Sequence, residues 1–284
     1  MTTPILYRTP GPALRGSVDA IWLCDPWEPP HDQERRLPDG SMDLVIDLDD
    51  QELRVAAGDG SPPLRLRGPV ISGAHTRSFL IDTTRPRRLL GLHFRAGGAF
   101  PFLGHPAGMV QDAHVELSAL WGRAAHDLHG RLLDARTPEA RFDVLEDALT
   151  ARLATARPAH PSVDLALRRL QTSAEPPRIG ELAAESGVSW RRFIELFRAE
   201  VGLTPKVFWR LRRFQDVVRR AHAGEEIDWA EAALDCGYAD QAHCIRDFRA
   251  FSGLNPTAYV ARRSEHRNHV PVPGGGLPPI PLPV

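Results

Sequence analysis

The chain of 284 residues holds only three cysteines, one lysine and no uninterrupted apolar run near the ~18 residues needed to cross a bilayer. Cys24, Cys236 and Cys244 are odd in number and widely spaced, which excludes a disulfide framework and the paired spacing of a zinc site. They read as small apolar core residues. With no leader pattern and no apolar span, a soluble, cytoplasmic protein without a membrane partner is expected. No Ser-His-Asp or Cys-His arrangement and no phosphate-binding glycine loop is legible, so nothing argues for catalysis or a cofactor. His75, His93 and His105 lack the H-x-H pair and following carboxylate of a cupin-type site, and no metal is expected. The net charge of −1 excludes a highly basic nucleic-acid coating protein. It does not exclude specific binding, because local charge decides that.

What the chain does contain is a duplication. Ala183-x-x-x-Gly187 is followed after ten residues by Phe197-Arg-Ala-x-x-Gly-Leu-Thr-Pro205. About fifty residues on, Ala233-x-x-x-Gly237 is followed after eleven residues by Phe248-Arg-Ala-Phe-Ser-Gly-Leu-Asn-Pro256. A repeated supersecondary unit of this kind reads as helix, glycine turn, second helix and stop. In the first copy Ile179, Leu182 and Ala183 form one apolar face, Gly187 turns, and Ser189 caps a helix with Phe193, Leu196, Phe197 and Val201 on one stripe. Gly202 ends it, and Thr204-Pro205 opens a linker helix over 205–221. In the second copy Asp240 caps a helix whose buried stripe is Cys244, Phe248 and Phe251.

Charge separates this duplication from an arbitrary pair of helical hairpins. Residues 186–221 hold nine basic against three acidic side chains, and the second helix of the first copy turns Trp190, Arg191, Arg192 and Glu195 away from its apolar stripe. Guanidinium groups so placed match guanine edges and phosphates. Residues 222–251 carry two arginines against seven acids, so the second copy is expected to grip a phosphate backbone less well.

Residues 162–260 resemble the DNA-binding domain of AraC/XylS-type bacterial transcription regulators. The most specific stretch is Gly237-Tyr-Ala-Asp-Gln-Ala-His-Cys-Ile-Arg-Asp-Phe-Arg-Ala-Phe-Ser-Gly-Leu-Asn-Pro-Thr-Ala-Tyr259. The resemblance implies a sequence-specific regulator whose two recognition helices enter successive major grooves of double-stranded DNA. A linker helix roughly 25 Å long, at 1.5 Å per residue, suits half-sites about one turn (~34 Å) apart. It places base reading on Arg191 and Glu195, with Trp190, Arg192 and Ile194 alongside, and on Gln241, Ala242, His243 and Arg246. Lys206 and the linker arginines Arg210, Arg212 and Arg213 become phosphate or core-packing partners. A small-molecule effector, a second copy of the chain and RNA polymerase are the further partners it suggests.

The fold expected is α+β with two domains: a β-rich, cupin- or sandwich-like domain with trailing helices over 1–157, then an all-α double helix-turn-helix domain over 158–265. Strands are expected at 43–48, 53–57, 65–71, 79–82 and 89–94, and helices through Leu117–Leu132 and Phe142–Leu153. Residues 1–38 are proline-rich, with Ile21, Trp22 and Leu23 the only compact apolar group. Asp39, Asp43, Asp47 and Asp49 read as turn and outward strand positions. Arg95-Ala-Gly-Gly-Ala-Phe reads as a tight strand-to-helix turn. Leu37-Pro-Asp-Gly-Ser-Met-Asp-Leu and Gly91-Leu-His-Phe-Arg-Ala-Gly-Gly-Ala-Phe-Pro-Phe-Leu-Gly104 resemble an uncharacterised, actinobacterial-type sensor-like domain found before some AraC-type motifs. It implies an effector or dimerisation role and names no ligand. Residues 266–284, rich in proline and glycine, read as a disordered tail. The competing readings are an enzyme, which would need a reactive cysteine, or a protein-binding scaffold with the helical repeat as a targeting module.

Overall fold

Alternating apolar positions pair eleven strands of the described residues into two antiparallel sheets; the computed structural model describes residues 5–172, 178–224 and 227–274. In chain order the strands are β1 (Leu6–Arg8), β2 (Val18–Trp27), β3 (Gln33–Arg36), β4 (Asp43–Asp47), β5 (Leu53–Ala56), β6 (Leu64–Leu66), β7 (Pro69–Ser72), β8 (Phe79–Asp82), β9 (Arg87–Phe94), β10 (His114–Glu116) and β11 (His269–Pro271). The first sheet runs β1-β2-β9-β4-β7-β10 and the second β11-β3-β8-β5-β6.

Period-2 alternation on β4 gives the first sheet its two faces. Leu44 and Ile46 join Ile21, Leu23, Leu90 and Leu92 in the core with helices α1 (Phe100–Leu103), α2 (Ser118–Trp121), α3 (Arg123–Asp134) and α4 (Pro138–Leu153). Asp43 and Val45 point the other way, into a cavity shared with the second sheet. Gly91 is required on β9, because a Cβ there would lie 2.3 Å from the Trp22 ring that crosses it. The Arg95–Phe100 stretch is the tight strand-to-helix turn expected: Gly97 takes φ +77, and a Cβ on Gly98 would meet the Ser17 carbonyl at 2.1 Å.

The helical half follows its punctuation closely. Helix α5 (Pro161–Thr172) leads into α6 (Ile179–Glu185) and α7 (Trp190–Val201), then α8 (Pro205–Ala223), α9 (Trp229–Asp235), α10 (Gln241–Ser252) and α11 (Pro256–Arg262). Ser189, Thr204, Asp240 and Asn255 each cap a helix through a side-chain oxygen, and Gly202 and Gly253 end α7 and α10 in the left-handed conformation. The linker helix α8 is buried on most sides, with Leu211, Phe214, Val217 and Val218 inaccessible.

Four expectations need correction. The strand predicted over 65–71 is two strands in different sheets, because Gly68 at φ +66 turns the chain between β6 and β7. Residues 18–27 form the longest strand, β2, rather than a compact apolar spot in a proline-rich lead. The aspartates are not outward: Asp47 is fully buried against Arg87 (2.8 Å), and Asp39 and Asp43 face Arg36. The tail is ordered at 269–271, where β11 pairs with β3 and buries Val270; backbone pairing there needs no side-chain pattern. Residues 173–177 of the expected proline-rich linker and 275–284 of the tail lie outside the described residues.

The two halves are fastened at separate points. Gly202, ending α7, sits against Met42 and Ala74, and Arg198 packs on Gly108 of a 3-10 turn at Ala107–Val110. Gly40 rests on Phe208 and Leu211 of α8, and Gln215 donates to the Pro38 carbonyl at 2.7 Å. At the end of α10, Ser78 N donates to Phe251 O (2.8 Å), and Ser78 Oγ and Arg35 donate to Ser252 O (2.9 and 3.3 Å).

Because the Gly98 neighbour is backbone, it cannot rotate away. Gly98→Ala is expected to cost about 2 kcal/mol in urea unfolding. Gly180→Ala, on α6 with nothing within 4 Å, should be neutral or stabilising by roughly 0.5 kcal/mol. Equal effects at the two sites would contradict the packing at the β9–α1 turn.

Candidate nucleic-acid interface and sensor cavity

On α7 the buried stripe of Phe193, Leu196, Phe197 and Val201 fixes which side chains face out. Trp190 is half exposed and Arg191, Arg192 and Glu195 are exposed. Glu195 lies between the two arginines, 3.2 Å from Arg191 and 3.6 Å from Arg192. Such exposed pairs are weak and exchange readily for a phosphate or base. On α10, Gln241, Ala242 and Arg246 are exposed, while His243 is partly buried with its ring edge-on to Tyr238 at 5.2 Å. Lys206, exposed in the first turn of α8, shares one groove with His243 and Arg246. The structure therefore groups Lys206, His243 and Arg246, and keeps Trp190, Arg191, Arg192 and Glu195 together on the other motif.

The linker arginines do different work. Asp247 of α10 is buried and receives Arg210 at 2.7 Å and Arg213 at 3.5 Å. Arg213 also donates to the Gly237 carbonyl (2.7 Å) and lies over the Tyr238 ring. Arg212 donates to the Leu170 carbonyl and covers Trp209. These three guanidinium groups hold the helices together. Sequence reasoning missed Asp247, whose signal was a carboxylate on the helix face that carries Phe248 and Phe251.

The acids of the second motif are largely occupied in the same way. Asp228 and Asp240 cap helices, Asp235 pairs with Arg220 at 2.6 Å, and Asp247 is enclosed. Glu225 and Glu226 lie outside the described residues. The acidic excess read from the sequence thus overstates the charge this motif presents.

Between the two sheets lies a cavity of about 1360 Å³ that continues to α8, reaching Phe208 and Gln215. Its polar end holds Arg36 within 2.9 Å of Asp39 and 3.4 Å of Asp43, with Asp43 in turn bonded to His93. Burial would raise the Asp43 carboxyl, but His93 and Arg36 hold it below its ordinary range; burial would lower His93, but Asp43 holds it above its own. Glu34 accepts from His269 (3.0 Å) and faces His31 (3.5 Å), and these bonds outweigh burial to bring it to about 2. His75 and His114 stack with Phe79 in this region, with ring centroids 4.5–4.6 Å apart. Burial pushes them down to about 4 and about 3. His105 is exposed, and no group of three or more metal-ligating side chains occurs among the described residues. Cys24, at the cavity wall, is buried with its thiol pushed up to about 11 by burial, the reverse of an activated nucleophile.

Residues 182–262 match a family described as a helix-turn-helix domain, spanning both motifs and the linker. Residues 182–262 are thus a DNA-binding helix-turn-helix domain of the AraC type. Residues 7–116 match a domain of unknown function (DUF6597), which covers both sheets except β1's first residue and β11. Among solved structures, the chain is similar to the DNA-binding domain of AdpA, a global transcriptional factor, in complex with a target DNA. That match is 26% identical over 36% of this chain and 90% of the other, with a TM-score of 0.33. It is similar also to a probable AraC family regulator from Rhodopseudomonas palustris (25% identity, 35% and 94% covered, TM-score 0.32). ToxT from Vibrio cholerae aligns over 90% of this chain and 98% of its own at 8% identity and a TM-score of 0.44. No curated protein matches the chain.

The histidines set a pH dependence for this chain. His75 and His114 have folded values below the ordinary ~6.5, so the unfolded chain binds protons first as pH falls. Their stabilising contribution is complete above ~6.5 and is lost progressively towards pH 4 and below. His93, raised, contributes in the opposite direction, and its contribution is already complete below ~6.5. Unfolding free energy is therefore expected to fall between pH 6.5 and 4.5. His114→Phe, which keeps the ring stack, should flatten that slope in urea titrations; an unchanged slope would remove His114 as its source.

Proposed function

We infer that the chain is a transcription regulator that reads two half-sites on one face of double-stranded DNA, about 10 base pairs apart, with α7 and α10 as recognition helices. The observation that carries this is the pair of N-capped helices presenting Arg191 and Arg246 outward, with α10 pinned to the linker helix by the enclosed Asp247. In this reading Arg191 and Arg246 take guanine edges and Gln241 an adenine. Ala242 offers a methyl contact, and Trp190, Arg192 and His243 flank the bases. Glu195 orients the two arginines and can accept from cytosine. Lys206 takes a phosphate. The N-terminal ends of α7 and α10 supply backbone N–H groups to the backbone as well.

The β-rich unit, taken as 1–157, serves as the sensor, and 158–265 as the reader. A small molecule in the cavity between the sheets changes how firmly the sensor holds the two motifs, and so changes DNA occupancy. The protein works in the cytoplasm, where its DNA is, and a second copy of the chain and RNA polymerase are its natural macromolecular partners.

Selection from random DNA by the full chain, followed by sequencing, tests the reading. A bipartite site with centres about one turn apart is the expected result, and enrichment of a single half-site would remove α10 as a base reader. Arg191→Ala should cost ~1–3 kcal/mol and relax preference at one base pair. Lys206→Ala should weaken binding evenly across sequences and lower the salt slope by about one. An even loss from Arg191→Ala would make that residue a phosphate contact instead.

A further inference from the structure

The cavity between the sheets has a distinct chemical character. Every carboxylate that the two sheets turn into it already has a cationic partner. Arg36 serves Asp39 and Asp43, His93 serves Asp43, His31 and His269 serve Glu34, Arg54 serves Asp82 at 2.8 Å, and Arg87 serves Asp47. Arg95 also pairs with Asp19 and Arg220 with Asp235, while on the helical side Asp164 and Glu265 line the cavity without an ion pair among the described residues. A charged guest of either sign placed between the sheets would enter a low-dielectric space in which the fixed charges are spent on each other, and would give up its hydration for little return.

Between the sheets the rest of the wall is mainly apolar, formed by Val45, Val55, Leu66, Val70, Ile81 and Leu89, while Arg168, Gln171 and Arg267 line the helical side. Two buried donors of lining residues, Trp22 Nε1 and Arg54 Nε, and two acceptors nearer the helical side, Gln215 Oε1 and Asn268 Oδ1, stand unused among the described residues; of these only the indole lies on the apolar wall. The indole Nε1 of Trp22 lines this cavity, is shielded from solvent and has no hydrogen-bond partner among the described residues. Gly91 lets the indole lie flat across β9, since any side chain there would displace it. A buried N–H without an acceptor costs free energy that a ligand oxygen or nitrogen recovers.

We propose that the cavity takes an uncharged, largely apolar molecule with one hydrogen-bond acceptor, which packs on Trp22 and accepts from its indole N–H. This rests on the reading of the β-rich unit as a sensor and names the ligand class that site selects. The DNA-binding half completes the site. His269 of β11 closes its polar end on Glu34, Asn268 reaches Asp39 at 3.4 Å, and Phe208 and Gln215 of α8 line its far side. A guest therefore touches groups that fasten the linker helix α8 to the sheets.

The test is calorimetric titration of the full-length protein with three molecules of one size: 1-octanol, octanoate and octylammonium. The alcohol is expected to bind at least tenfold more tightly than either ion. Trp22→Phe, which keeps an aromatic ring and removes the N–H, should weaken the alcohol about fivefold or more. Val45→Phe, which fills the apolar end, should abolish binding, with thermal melting used to verify that it folds. Octanoate or octylammonium matching the alcohol, an unchanged affinity in Trp22→Phe, or binding of none of the three would overturn the proposal. Operator affinity measured with and without the alcohol separates the two readings. Binding that depends on Trp22 but leaves DNA affinity unchanged upholds the site and removes the sensor role.

Discussion

One buried carboxylate holds the reading head together. Asp247 sits between Arg210 and Arg213 of the linker helix, and its removal from water is expensive unless both guanidinium groups stay in contact. The consequence is geometric as much as energetic. Arg213 also reaches Gly237, at the turn of the second motif, so the turn, α10 and α8 form one unit. Two helix-turn-helix motifs on a flexible tether would search for their grooves independently. Joined through Asp247, the second motif keeps a fixed rotation about the linker, which is what reading two successive grooves requires.

The β-rich half grips this unit on both sides. The first motif is seated through Gly202 and Arg198 on the 3-10 turn after β9, where small residues allow close approach. The second is held by Ser78 and Arg35 on the carbonyls ending α10, groups that a helix leaves without internal partners. Between them, the Leu37–Met42 loop rests on the middle of α8. The chain then returns after α11 to add β11 to the edge of the second sheet, so the helical half finishes inside the β-rich fold. Any change in the sheets that shifts β3 is felt at β11, at Arg35 and at the loop that follows Arg36.

The charge ledger shows why summed composition misleads about binding. The second motif is acidic in sequence, yet its described aspartates are spent on caps, on Arg220 and on the linker knot. The linker is basic in sequence, yet Arg210, Arg212 and Arg213 face protein groups. What each motif offers to DNA is decided by the few side chains left on the outer face of one helix.

The amino-acid sequence by itself determined the helical half. Helix periodicity, side-chain caps and terminating glycines are all local, since each involves residues within four or five positions of one another. The outward set on α7 and α10 followed from the buried stripe for the same reason. The β-rich half was legible only as a class. Strand pairing is set by partners far along the chain, so the split at Gly68, the length of β2 and the capture of residues 269–271 by β3 were decided by tertiary structure. So was the direction of the aspartates: alternation says that Asp43 and Val45 share a face, but only the second sheet makes that face an interior. The cavity, the charge pairs between its sheets and its unpartnered indole N–H exist because two sheets and a helix from opposite ends of the chain meet there.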